Sequence, residues 1–152
     1  MKKIITLLVT MILLSLIFVS GAAAQRGVMW RGGGGWGPGA PYARTYDLQT
    51  IETVFGEVVA IDVISPMKGM SYGIHIILKT DKETIPVHLG PGWYIENQDV
   101  KIAPTDMIEV KGSRITFNGK PTLIAAIVKK GDQVLALRDA SGYPVWSGWK
   151  NK

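Results

Sequence analysis

From Thr50 onward the chain runs in short stretches of β-branched and aromatic residues separated by turn signals, a pattern that predicts an all-β domain. The first predicted strand is Ile51 to Ile64. Its alternation fails near the middle, because Val54, Val58 and Ile61 share a face only if one extra residue lies between Val58 and Ile61. A bulge there, with Gly56 easing the bend, is how a strand wraps around a small barrel. Ser65 to Gly73 reads as a loop. The second and third strands are Ile74 to Lys79 and Thr84 to Leu89, joined through Thr80-Asp81-Lys82-Glu83. Gly90-Pro91-Gly92 stops the third strand, and Trp93 to Asp99 reads as one or two helical turns. The fourth strand, Met107 to Phe117, is bent near Lys111-Gly112. Asn118-Gly119 is a hairpin signal, because both central residues of a type I′ turn need positive φ. The fifth strand is Pro121 to Lys130 and a short sixth is Gln133 to Arg138.

The order is a long bent strand, a hairpin, a short helix and a second hairpin. It predicts a small barrel of five to six strands, like the oligonucleotide/oligosaccharide-binding (OB) fold, with the short helix between strands three and four. Another small barrel or sandwich would share much of this spacing.

The register of the first hairpin can be worked out from its apolar residues. With Asp81-Lys82 at the centre, Leu78 faces Ile85, Ile76 faces Val87 and Ile74 faces Leu89. A one-residue slip would set core residues against polar ones. The same register sets His75 opposite His88 on the outer face, where cross-strand Cβ atoms are about 4.5–5.5 Å apart. His75 and His88 are therefore candidate ligands for a divalent metal. A third ligand is not adjacent in sequence; Glu57, Asp62, Glu96 or Asp99 would have to be brought there by the fold. Two half-exposed strand histidines without chemistry are the competing reading.

The chain begins differently. Lys2 and Lys3 precede an apolar run from Ile4 to Val19, and Ala22 and Ala24 form an A-x-A site. Residues 1–24 read as an export signal cut after Ala24, which makes the protein periplasmic or extracellular. An uncleaved anchor is the alternative, and the membrane would be met only through that segment. Residues 25–49 read as a flexible leader rich in Gly, Trp and Arg. Seven glycines and two prolines fall between Arg26 and Arg44. Its Trp30 and Trp36 either stack on a ligand or partner or fold back on the domain. Residues 50–149 form the barrel domain and an aromatic tail. Trp93 reads as a cap on the barrel and Trp146 as a seal on an open edge. Tyr94 and Trp149 are less constrained and join Trp30 and Trp36 as candidate ligand or partner surface.

Composition removes several functions. There is no cysteine, hence no disulfide framework, thiolate metal site or cysteine nucleophile. The net charge of +5 suggests nucleic acid, but between Thr45 and Trp149 stand 10 basic and 12 acidic residues. A slightly acidic domain lacks the basic face that neutralises phosphates, so no nucleic-acid partner is expected. No serine lies in a nucleophile motif, and there is no phosphate loop and no H-E-x-x-H. The chain is not expected to be an enzyme.

The stretches VHLGPGWYIE (Val87 to Glu96), IEVKGSRI (Ile108 to Ile115) and LRDASGYPVW (Leu137 to Trp146) resemble the domain shared by the magnetosome proteins MamS and MamX. The likeness covers Glu52 to Trp146. It implies an exported or membrane-associated accessory domain linked to metal or redox handling; the partner expected for such a module is an envelope protein. The C-x-x-C-H of MamX is missing, so no covalent haem is implied. A weaker likeness, to exported bacterial OB-fold proteins of the stress-associated kind, implies direct binding of a divalent cation or an oligosaccharide.

Overall fold

The structure, a computed structural model, describes residues 34–148. The export signal, Trp30 and Trp149 lie outside the described residues. Six strands follow in order: β1 (Ile51–Ile64), β2 (Gly73–Lys79), β3 (Thr84–Pro91), β4 (Met107–Phe117), β5 (Lys120–Lys130) and β6 (Gln133–Ala136). One helical turn, α1 (Gly92–Ile95), stands between β3 and β4. Among the described residues no helix is long and apolar enough to cross a membrane.

The strands form one sheet in the order β3-β2-β1-β4-β5-β6, with neighbours antiparallel. β3 also meets β5 in a short parallel pairing, Val87 opposite Leu123 and His88 opposite Ile124. β1 serves two partners in succession: Ile51 to Glu57 pair with β4, and Glu57 to Ile64 pair with β2. The handover falls at Gly56, where a Cβ would lie 2.4 Å from the Lys79 carbonyl oxygen, so only glycine lets the strands close up. The expected bulge is present. The β1–β2 register shifts between Val58 and Ala60, which leaves Val59 exposed and turns both Val58 and Ile61 to the core. The inward residues Val58, Ile76, Leu78, Ile85, Val87, Ile108, Val110, Leu123 and Val128 make one buried cluster.

The first hairpin keeps the register read from its apolar pairs as far as His75 opposite His88. Beyond that it differs: Ile74 lies opposite Gly90, and Leu89 is the extra residue of a bulge. The shift is accommodated because Trp146 lies on Gly90, its Cζ3 2.9 Å from where a Cβ would stand. β6 ends two residues sooner than its pattern predicts. The N–H groups of Leu137 and Arg138 both donate to the Ala126 carbonyl, at 2.8 and 3.0 Å. Ala126 is the extra residue of the β5 bulge, so the ladder stops there.

The segment from Gly34 is packed against the domain. Trp36 and Tyr42 belong to the buried cluster, and the Trp36 indole N–H donates to the Ser71 carbonyl at 3.0 Å. Of the two fates the composition left open for these aromatics, Trp36 takes the inward one. Burying a large ring outweighs the conformational freedom of the glycines around it.

The β4–β5 turn has Asn118 at φ 49° and Gly119 at φ 75°. A Cβ at Gly119 would meet nothing within 4 Å, so Gly119→Val tests backbone strain alone. It should cost about 1–3 kcal/mol, the scale of a strained backbone residue. An unchanged denaturation midpoint would mean that the turn has room to change type.

Candidate functional site

Two neighbouring strands bring the histidines together. β2 carries His75 and β3 carries His88 directly opposite. Their rings stack, with centroids 6.0 Å apart and planes 8° from parallel. The face they occupy is not open, contrary to the solvent-facing position that strand alternation predicts. Tyr42 stacks on His88 at 6.0 Å, and the Phe117 ring meets it edge-on at 5.1 Å. His88 is 2% exposed and the His75 side chain 18%.

Burial sets the chemistry of this cluster. The Tyr42 hydroxyl and His88 Nδ1 share a hydrogen bond of 2.8 Å, whose direction follows the imidazole tautomer. Burial, with the neighbouring His75 adding to it, pulls the His88 pKa down to about 4. Burial pushes the Tyr42 phenol above its ordinary range, partly offset by the Arg138 charge. At neutral pH both groups are therefore uncharged, as a buried pair joined by one hydrogen bond should be. His75 Nε2 lies 3.8 Å from an Asp62 carboxylate oxygen, and its Nδ1 is buried with no partner among the described residues.

Two observations bear on a metal ion at this pair. His88 Nδ1 is already engaged by Tyr42. Among the described residues no three of His, Cys, Asp and Glu are grouped so as to hold a metal.

Next to the histidines lies a cavity of about 340 Å³, bordered by Ile64, His75, Pro86, His88, Phe117 and Lys120. Its floor is the middle of β2 and β3. Its rim is the end of β1 and the β4–β5 turn. Lys120 is the cationic side chain of its wall. Phe117, Pro86 and Lys120 were not singled out by sequence reasoning, yet two signals bear on them. The hairpin register places Pro86 opposite Ile77, and the Asn118-Gly119 turn puts Phe117 and Lys120 at its two ends.

A larger cavity, about 600 Å³, lies between the start of β1 and the β2–β3 turn, with Glu52, Phe55, Glu83, Met107 and Arg114 in its wall. Its charges satisfy one another. Arg114 donates from Nε to Glu52 at 2.8 Å and forks onto both Glu83 carboxylate oxygens. The Arg114 hydrogen bond holds the Glu83 carboxyl below the usual range.

The aromatic candidates fall elsewhere. Trp36 is 2% exposed and Tyr94 7%, so neither offers a ring face to a ligand. Tyr94 is drawn in by the short α1 turn, which packs it against the Trp146 ring at 5.6 Å. Trp146 in turn donates its indole N–H to the Trp36 carbonyl at 2.9 Å.

The sequence profile of the MamS/MamX magnetosome protein family matches residues 50–135, more than half of the chain and the whole run from β1 into β6. No curated protein sequence matches the chain.

Proposed function

The chain belongs to the MamS/MamX magnetosome protein family, and we propose that it works there as an exported, non-catalytic binding module built on an OB-like barrel. The pairings β1–β2, β2–β3, β3–β5, β5–β4 and β4–β1 return to their starting strand. That circuit, with a short helix between β3 and β4, supports the OB-like reading. Barrels of this kind take their ligands on the second and third strands, between the β1–β2 and β4–β5 loops.

The observation that carries the proposal is the position of the cavity beside His75 and His88. It lies on β2 and β3, with Ile64 at the start of the β1–β2 loop and Asn118 and Lys120 at the β4–β5 turn. We take its occupant to be a protein partner in the periplasm or at the cell surface, reached by way of the signal at residues 1–24. Metal or redox chemistry then belongs to the partner. The alternative of direct cation binding is weakened because the Tyr42 hydroxyl engages His88 Nδ1 and no third ligand is grouped with the pair among the described residues. Direct oligosaccharide binding would use the same cleft.

The mature chain from Gln25, immobilised and exposed to an envelope extract of its native host, tests this reading. Phe117→Ala and Lys120→Glu alter the cleft, and Val134→Ser alters an exposed position on β6. A partner held by the wild type and by Val134→Ser should be lost by both cleft variants. Equal retention by all four would exclude the cleft as the docking surface. Loss to a competing oligosaccharide would favour the sugar.

A further inference from the structure

Arg138 is one of the most buried charged side chains of the domain, 4% exposed, and among the described residues no carboxylate pairs with it. Its backbone is fixed by the N–H bond to Ala126 and by a bridge to Pro144. The guanidinium lies 5.1 Å from the centre of the Tyr46 ring and 5.3 Å from that of Trp146. Nη1 donates to the Gly142 carbonyl at 3.0 Å, while Nε is buried and finds no acceptor among the described residues. Arg114 shows the contrast: with 32% of its side chain exposed, it holds two carboxylates. A buried guanidinium is ordinarily matched by an anion, because ring faces and one carbonyl replace only part of its lost hydration.

Arg138 also borders a cavity of about 340 Å³, separate from the cleft of the proposed function. Lys111 stands on this cavity's wall, exposed and without an ion pair among the described residues. Asp139 is also there, but its Oδ1 already accepts from the N–H groups of Ser141 and Tyr143, both at 2.9 Å. Two cations and one anion leave a single positive charge in surplus. The rest of the wall is apolar: Leu48, Ile51, Ala126, Ile127 and the Tyr46 ring.

We propose that this cavity is a binding site for a small organic monoanion, a carboxylate carried on an apolar body, with Arg138 as its fixed counter-charge and Lys111 at its mouth. A planar carboxylate suits the guanidinium fork. One surplus charge suits a monoanion better than a phosphate dianion, and the apolar wall suits a ring or short acyl chain. The inference does not rest on the partner-binding reading, since it uses neither the histidine cleft nor its residues.

The test is titration of the mature chain at pH 7 and low salt with benzoate, hexanoate, benzamide and inorganic phosphate, followed by calorimetry and by the side-chain Nε–H resonance of Arg138. Benzoate and hexanoate should bind and move that resonance. Benzamide, neutral and of the same shape, should do neither, and phosphate should bind more weakly than benzoate. Lys111→Glu, at an exposed position, should fold normally and weaken benzoate by about tenfold or more, because the surplus charge changes sign. Arg138→Gln should abolish binding if it folds; if it does not, Lys111→Glu carries the test. An Arg138 resonance unmoved at millimolar benzoate, benzamide binding as well as benzoate, or Lys111→Glu binding as tightly as the wild type would overturn the proposal.

Discussion

Trp36→Ala should cost the domain about 3–5 kcal/mol, the range for emptying a buried tryptophan site. The ring is buried and fills the junction between the segment at Gly34 and the sheet. It meets Tyr42 edge-on at 5.0 Å and Trp146 at 6.4 Å, and its N–H satisfies the Ser71 carbonyl. Its Cζ2 lies 2.3 Å from where a Cβ on Gly73 would stand, so the first residue of β2 is glycine to admit it. Alanine would leave a void against Gly73 and an unpaired carbonyl at Ser71, and would loosen Tyr42 over His88. For a domain of this size the melting temperature should fall on the order of 10–20 °C. Circular dichroism during heating measures it. A melting temperature within a few degrees of the wild type would mean that the segment before β1 is not part of the cooperative unit.

That prediction marks where sequence reading reaches its limit. The β2–β3 register was legible from the turn as far as His75, where the pairs Leu78 with Ile85 and Ile76 with Val87 hold, because alternation is a local property; the third expected pair, Ile74 with Leu89, is broken by a bulge. The register correctly set His75 against His88. What it could not supply was the covering of that face. The cover comes from Tyr42, 46 positions away from His88, and from Phe117 at the far end of β4. Likewise the glycine content of the leader argues for freedom, whereas the contact that restrains Trp36 reaches 110 positions along the chain to Trp146. The bulge at Val59 was legible because it left a defect in the alternation. The bulge at Leu89 left none, since Ile85, Val87 and Leu89 alternate without a break, and the bulge at Ala126 left none, since Ala125 and Ile127 on either side of it are both apolar.

Arg138 was hidden for the same reason. In a plain continuation of β6 it would alternate outward after Leu137. The bulge at Ala126 draws the N–H groups of both residues to one carbonyl, and Trp146 and Tyr46 close over the guanidinium. The motif LRDASGYPVW is therefore more than an edge seal. It buries one cation that no carboxylate among the described residues pairs with, while Asp139 spends its carboxylate on the turn that follows.

Acid should weaken the fold between pH 6.5 and about 4, through His88. Its pKa stands at 6.5 when the chain is unfolded and at about 4 when folded, because burial beside Tyr42 and Phe117 disfavours the charged ring. Above pH 6.5 neither state carries the proton, and the stability is whole. As pH falls through 6.5 the unfolded chain takes up a proton that the folded domain refuses, so stability drops by about 1.4 kcal/mol per unit. Below about 4 the folded state also takes the proton, and the loss levels off on the order of 3 kcal/mol. Glu83 and Asp106 act in the same direction, but their carboxyls lie below their ordinary values near 4, so their share falls at lower pH. Urea denaturation at pH 7.5, 6.5, 5.5 and 4.5 measures the slope. His88→Gln should be less stable at pH 7.5, since glutamine cannot reproduce the ring stack, and should show almost no slope over the same range. The imidazole resonances of the wild type should show one histidine that stays neutral down to about pH 4. A wild-type stability that is flat from pH 7 to 5, or a His88 ring that titrates near 6.5, would mean that water reaches His88 and that Tyr42 does not close over it.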